Sequence, residues 1–242
     1  MKCINCGTKC DRLYRYYSKD IIQLEHCDDN VTRHTVTAEC KELVDKYIEF
    51  DPVIICLDAL LLKREAFQHV LSNNLTQAQW KLTSILLLFD AYTKLVHQRQ
   101  SGDQSQRPLP KNVLYSAFEW DLYFNYFLAF SELLVCVVVI LAAFMIARKV
   151  SPIPDNLSPR EVARGILLSN FGKILVIPAV LWGYNEMYVW LTAIFVCASN
   201  VQALRVMCPS WPAIFCAVVV ISSHMLASTT SSIIYLFHTS LK

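Results

Sequence analysis

From Tyr126 to Ala147 the chain is apolar apart from the single charge of Glu132, and Arg148-Lys149 followed by Ser151-Pro152-Ile153-Pro154 closes the run. A helix crosses the hydrocarbon of a bilayer in about twenty residues at 1.5 Å each, and the proline-broken segment cannot continue it. This stretch commits the C-terminal half of the chain to lipid. Composition agrees: 55% hydrophobic and 17% charged residues with only 5 glycines lie outside the usual soluble range, and the charged residues thin out after about residue 112. Three further spans are predicted. Ser158, Pro159 and Glu161 form a helix start with a capping box, and its membrane part runs from Ile166 to Tyr184. Met187 to Met207 and Trp211 to Phe237 supply the others. Trp182, Tyr184, Tyr188, Trp190 and Trp211 fall near the interfaces, as an aromatic belt would place them. The turn between the second and third spans is short enough for a re-entrant pair instead. The expected class is a mainly α membrane protein with a bundle of about three to four transmembrane helices.

The N-terminal half is different in kind. Residues 1–50 are polar, and alternating stretches such as Ile21-Ile22-Gln23-Leu24-Glu25 predict β-hairpins. So small a module needs disulfides, metal or a docking partner to hold it. Residues 51–97 predict interfacial helices. The apolar run Val53 to Leu62 ends at Lys63, short of a span, and reads as a buried or interfacial helix. Trp80 to His97 places Leu82, Ile85, Leu86, Phe89, Tyr92 and Val96 at helical spacing, with Thr83, Asp90, Lys94 and His97 elsewhere on the wheel, as expected of a helix lying on the membrane. Residues 98–111 are polar, carry breakers and read as the linker to a transmembrane domain over 112–242.

Cys3-x2-Cys6 has the spacing of a zinc-knuckle half-site: a tight turn, with Gly7 permitting the backbone to reverse, lets two thiolates take two corners of a tetrahedron. Cys27 and Cys40 would complete a four-thiolate site in a zinc-ribbon-like β module, and metal binding worth about 10–16 kcal/mol would fold it. The x12 spacing between Cys27 and Cys40 is not a regular knuckle. His26, His34 and Cys10 are substitute ligands within reach, and free or disulfide-bonded cysteines are the alternative to metal. The first residues have no signal-peptide character, which favours metal over disulfide. Cys56, Cys136, Cys197, Cys208 and Cys216 lie in apolar runs and read as small packing residues.

Cys3-x2-Cys6, Leu13-Tyr14, Ile21-x-Gln23-Leu24, Cys27, Cys40 and the run from Val44-Asp45-Lys46-Tyr47-Ile48-Glu49-Phe50-Asp51-Pro52 together resemble the N-terminal homology domain of the ARV family of lipid-homeostasis proteins. Leu60-Leu61-Leu62-Lys63, Phe67-x-His69-Val70-Leu71, Trp80-Lys81-Leu82 and Asp90-Ala91-Tyr92 continue the resemblance, and Phe171-Gly172-Lys173-Ile174-Leu175 is similar to a run in that family's membrane half. The resemblance implies a structural zinc ion held by two CxxC pairs, residence in the endoplasmic reticulum membrane with the Golgi as a further location, and a role in sterol movement, sphingolipid balance and glycosylphosphatidylinositol-anchor synthesis. Its partners would be membrane lipids, sterols among them, and lipid-synthesis or anchor-pathway membrane enzymes. The chain departs from the family in one place: about ten extra residues stand between Cys27 and Cys40. A loop of that length costs little entropy to close, so zinc is still expected, with the knuckle's backbone hydrogen bonds lost on that side.

No nucleophile-base pair, phosphate-binding glycine loop or paired-carboxylate motif stands out, and the chain reads as a non-enzyme. A net charge of +2 with no basic-aromatic patch gives nucleic acid nothing to bind. Glu132 and Lys173 are the ionisable groups within the spans. Glu132 sits early in its span and Lys173 can snorkel, so both are expected at interfaces, with a substrate-path role as the alternative. His224 and His238 read as packing or end residues, and Asn170, Asn200, Ser222 and Ser223 as bonds between helices. Topology is contested within the sequence. Arg148, Lys149, Arg160 and Arg164 make the following loop cytoplasmic and the N-terminal module lumenal, whereas thiolate chemistry prefers the cytosol. The module is expected to be cytosolic, leaving the sequons at Asn30 and Asn74 without glycan.

Overall fold

The computed structural model describes residues 1–18, 21–27, 30–33, 36–73, 79–101, 111–150, 157–175 and 186–240. It divides into two compact units, Met1–Gln77 and Ala78–Lys242.

The first unit carries two antiparallel hairpins, β1 (Tyr14–Ser18) with β2 (Ile21–Leu24), and β3 (Asn30–Arg33) with β4 (Val36–Glu39). The second hairpin lies within the insert. Its register, Asn30 opposite Glu39 through Arg33 opposite Val36, folds the extra residues back on themselves. Before and after it the chain stays paired: His26 bridges Leu43, the Cys27 N–H donates to the Glu42 carbonyl at 3.0 Å, and the Val44 N–H to Glu25 at 2.9 Å. The insert is thus an excursion from one continuous antiparallel ladder, and its length does not separate Cys27 from Cys40.

Two helices complete the unit. Asp51 caps α1 (Pro52–Leu60), its carboxylate accepting from the Val53 N–H at 3.2 Å, and Pro52 takes a first-turn position that needs no N–H donor. Ile55 and Ala59, one turn apart, pack on a core of Ile4, Tyr47 and Ala66. Val53, Leu57 and Leu61 face outward at 63%, 54% and 69% exposure, so the helix is superficial and strongly apolar outside. It ends in paired reverse bonds, Lys63 N–H to Asp58 O and Leu62 N–H to Ala59 O, with Leu62 at φ 56° where glycine is usual. α2 (Arg64–Gln68) follows and passes into a π-turn over His69–Asn73.

The second unit is helical: α3 (Gln79–Ser101), α4 (Lys111–Val150), α5 (Pro159–Ser169), α6 (Glu186–Met207) and α7 (Ala213–Ser240). The expected capping box of α5 is present, with Ser158 Oγ accepting from the Glu161 N–H and Glu161 returning to the Ser158 N–H at 2.8 Å. Among the described residues, three helices are long and apolar enough to cross a membrane, Glu119–Lys149, Met187–Met207 and Ala213–Ser240. The chain is a multi-pass membrane protein. The span expected over 166–184 is described only to Leu175, and there α5 gives way to a 3-10 helix over Asn170–Leu175. α4 packs most extensively on α7 and on α3, and α6 on α5, the 3-10 helix and α7.

The division between compact units at Gln77 falls ahead of the expected linker. Gln98–Ser101 forms the last turn of α3, Lys111 opens α4, and 102–110 lie outside the described residues. The apolar set of α3 divides between two faces. Leu86, Leu87, Ala91 and Leu95 are buried, Asp90 and Lys94 meet partner charges of the bundle, and Ile85, Leu88 and Tyr92 point outward.

Candidate metal centre

The chain from Met1 to Cys10 doubles back on itself. Lys2 pairs with Lys9, the Gly7 N–H donates to the Cys3 carbonyl at 2.9 Å, and the Cys3 N–H to the Thr8 carbonyl at 2.9 Å. Gly7 holds φ 80°, the left-handed region where a Cβ is costly. This is the tight turn that the Cys3-x2-Cys6 spacing requires. The opposite side comes from the ladder that places Cys27 beside Glu42. The sulfur atoms of Cys3, Cys6, Cys27 and Cys40 all lie within 4.8 Å of one another, and Cys6 Sγ is 3.6 Å from Cys27 Sγ.

Four thiolates at about 2.3 Å from a tetrahedral zinc ion stand about 3.8 Å apart, so the donor set fits that metal in number, type and spacing. No disulfide competes: all ten cysteines are free thiols. The substitute ligands are not in the cluster. His26 Nδ1 lies 3.0 Å from the Lys41 carbonyl, Cys10 packs beside the four sulfurs without joining them, and His34 is outside the described residues.

The surroundings tune the sulfurs unequally. Burial pushes the Cys3 thiol up to about 11 against the hydrogen bonds that Cys6 and Asn5 backbone N–H groups give it. Burial acts on Cys6 as well, but hydrogen bonds from the Thr8 hydroxyl, at 3.0 Å, and the Thr8 backbone outweigh it and bring Cys6 down to about 7. Leu13 and Val44 close an apolar wall around Cys3 and Cys27. Metal-ligand positioning of this kind depends on such outer contacts, and those on the Cys3–Cys6 side are intact.

Sequence reasoning missed the polar knot behind this site. The carboxylate of Asp45, 0% exposed, accepts from the Tyr47 N–H at 3.0 Å, from Asn73 Nδ2 at 2.8 Å, and meets His69 Nδ1 at 2.7 Å. Asn73 also brackets Lys2, accepting from its N–H and donating to its carbonyl, both at 2.9 Å. The Tyr47 hydroxyl donates to Asp58 at 2.8 Å, and burial together with that carboxylate pushes it above the usual phenol range, so it stays a donor. Ile4, between Cys3 and Cys6, sits in the Tyr47–Ala66 core and donates its N–H to Val44 at 3.0 Å. Thiol cluster, knot and helices are one packed body.

Residues 2–204 match the Arv1-like family model. The chain belongs to the Arv1-like family. It is 35% identical over 209 residues to mouse Protein ARV1, covering 85% of this chain and 73% of that protein, and 33% identical to human Protein ARV1, covering 85% and 71%. Against Protein ARV1 of Candida albicans the identity rises to 44% over 85 residues, 35% of this chain and 25% of that one. No solved structure gives a significant match. The Arv1-like match reaches across both units, from the thiol turn at residue 2 into α6, and membership carries the family's general role in sterol and lipid homeostasis to this chain.

The second unit contains charges that the sequence expectation set at interfaces. Lys173 Nζ is 2.6 Å from Asp90 Oδ2 and Lys94 Nζ 2.5 Å from Glu132 Oε1. Each ammonium has a carboxylate of a neighbouring helix within reach, which stabilises it where it stands. Of the expected interhelical polar bonds, Asn200 meets both Ser169 and His224 Nε2, the latter at 3.0 Å, and Ser223 lies 3.4 Å from Cys136. Asn170 and Ser222 bond back to their own helices instead. His238 stacks on Phe124, ring centroids 3.9 Å apart, as a packing residue.

Proposed function

We propose that this chain mediates the distribution of sterol and the balance of sterols and sphingolipids in the endoplasmic reticulum membrane, acting on lipids without catalysing a reaction. Its N-terminal unit holds a structural zinc ion on Cys3, Cys6, Cys27 and Cys40. When bound, zinc supplies folding free energy and no reactive water, because four thiolates leave it no open position. Around that ion Cys3 and Cys27 are shielded by Leu13 and Val44, and Asp45 ties the cluster to α1 and α2. The observation that carries the reading is the four-sulfur cluster in a family member whose other unit carries three membrane-length helices. Glycosylphosphatidylinositol-anchor intermediates are among the lipids it would handle.

The test is metal analysis and sterol photolabelling of the purified full-length protein. One zinc per chain and saturable labelling by a photoreactive sterol are expected, with zinc lost in Cys27→Ser/Cys40→Ser. Absence of saturable sterol labelling in zinc-loaded protein would overturn the sterol assignment.

A second reading rests on α1. Its outward residues Val53, Leu57 and Leu61 form an apolar strip along the helix, the kind of surface that marks a contact site. An adaptor that recruits a lipid-synthesis enzyme through this strip would lose its partner, and keep its zinc, in Leu57→Glu.

A further inference from the structure

Two ion pairs lie in the helical unit. Glu132 stands within the membrane-length helix Glu119–Lys149, six residues after the apolar run opens at Tyr126, about 9 Å along the helix at 1.5 Å per residue. Lys94 of α3 meets it there, and Asp90, one turn earlier on the same face of α3, meets Lys173. Each pair also feels the other, Asp90 through Lys94 and Lys173 through Glu132. The polar layer continues inward through Cys136, Ser169, Ser199, Asn200, Ser223 and His224. Ionisable groups on a membrane-length helix are expensive in lipid and serve function by default.

Three observations separate this quartet from a sealed structural network. First, its side chains are only partly covered: Lys94 and Glu132 are 22% and 24% exposed, Lys173 and Asp90 20% and 18%, where the buried pair His69 and Asp45 is 7% and 0%. Second, the Lys94 nitrogen is covered by protein and has Glu132 Oε1 at 2.5 Å, while its remaining N–H groups have no acceptor among the described residues. A covered cation with unused donors calls for an acceptor. Third, Lys173 sits on the 3-10 segment where α5 stops, and Ser169 at that break joins Asn200 of α6. Interrupted helices are the elements from which many transporters build their binding sites.

The charge of the quartet selects the ligand. Two carboxylates and two ammoniums sum to zero, so an anionic or a cationic headgroup would leave a net charge in a low-dielectric surrounding, which is costly. A headgroup carrying one phosphate and one ammonium leaves none. We propose that Asp90, Lys94, Glu132 and Lys173 form a binding site for a zwitterionic phospholipid headgroup, the phosphodiester taking the free donors of Lys94 and the ammonium taking Glu132. No bond is made or broken; ions exchange partners. The outward Ile85, Leu88 and Tyr92 of α3 supply the apolar margin along which acyl chains lie.

The inference is independent of the sterol assignment. The full-length protein in nanodiscs is labelled with a photoactivatable phosphatidylcholine and competed with phosphatidylcholine, phosphatidylethanolamine, phosphatidylglycerol, cholesterol and soluble glycerophosphocholine. Competition by the two zwitterionic lipids at least tenfold better than by phosphatidylglycerol is expected, and glycerophosphocholine should compete weakly, which places the ligand in the membrane. Equal competition by phosphatidylglycerol overturns the site, as does competition by glycerophosphocholine as strong as by the lipid. In Lys94→Met/Glu132→Gln, which removes one pair and leaves no unpaired charge, labelling should fall at least tenfold with unchanged melting; labelling kept at the wild-type level overturns the assignment. Should that variant not fold, the wild-type competition decides alone. A sterol photoprobe run alongside fails or succeeds separately.

Discussion

The carboxylate of Asp45 and the imidazole of His69, 24 positions apart in sequence, meet at 2.7 Å in the interior of the N-terminal unit. Removing one partner of a buried, hydrogen-bonded pair leaves the other stranded and costs about 3–5 kcal/mol. Asp45→Ala strands more than His69, since Asn73 Nδ2 and the Tyr47 N–H also lose their acceptor. The variant is expected to lose protection against hydrogen exchange throughout residues 1–73 while the helices of the second unit keep theirs.

Thiol chemistry predicts how metal affinity follows pH. Zinc takes thiolates, so each thiol protonated in the metal-free protein must release its proton. Cys3, held up to about 11 by burial, releases one at every pH below that value, which makes affinity rise about tenfold per pH unit. Cys6, brought to about 7 by Thr8, adds a second factor only below about pH 7. Chelator competition should therefore show a steeper loss of zinc from pH 7 to 6 than from 8 to 7. Thr8→Val, which removes the hydroxyl donor to Cys6, should move that break upward.

Leu62 offers a stabilising change. A side chain in the left-handed region costs about 1–2 kcal/mol, and Leu62 occupies it at φ 56° to end α1. Leu62→Gly should raise the stability of the protein by up to about 1 kcal/mol, read as a higher melting temperature, after the lost side-chain packing and glycine's extra unfolded-state entropy are set against the relief. A lower melting temperature would mean that the leucine's contacts outweigh the backbone strain.

Local features were legible in the sequence because each is encoded within a few residues. The Cys3-x2-Cys6 turn, the capping box of Ser158 and Glu161 and the β1–β2 hairpin all appear as read. The joining of Cys27 to Cys40 was only half legible. Spacing alone showed a stretched site, and it takes the pairing of β3 with β4 to see that the stretch folds away. Asp45 with His69, and Asp90 with Lys173, were not legible as pairs, since nothing in the spacing of 24 or 83 residues marks a contact. The wheel of α3 was legible only in part: helical periodicity reports that polar and apolar residues segregate, and it does not mark Lys94 and Asp90 as partners of Glu132 and Lys173.

The amides of Gln98 and Asn125 exchange hydrogen bonds between α3 and α4, at 3.0 and 3.1 Å, with Asn125 fully buried. Interhelical polar bonds in membrane proteins contribute about 0.6 kcal/mol on average and up to about 1.7, so a double-mutant cycle of Gln98→Ala and Asn125→Ala should give a coupling at the upper end of that range. Additive losses would mean that Asn125 acts through its bond to the Asp121 carbonyl alone.

Gly172 lies where the 3-10 helix of Asn170–Leu175 passes α6. A Cβ built there would stand 2.4 Å from Cδ1 and 2.6 Å from Cε1 of Phe195, closer than real contacts allow. The ring also stands edge to face with Phe171, centroids 6.1 Å apart, so swinging away disturbs that contact. Gly172→Ala is therefore expected to destabilise the helical unit by about 1–3 kcal/mol, as overpacking does. The second variant Gly172→Ala/Phe195→Leu removes the obstructing ring atoms and should recover part of the loss. The displacement would be felt next door at Lys173, so the single variant should also weaken the Asp90–Lys173 pair, read as a greater loss of stability on adding Asp90→Asn to wild type than to Gly172→Ala. Equal losses in the two backgrounds would show that the clash relaxes toward Phe195 and leaves the ion pair in place.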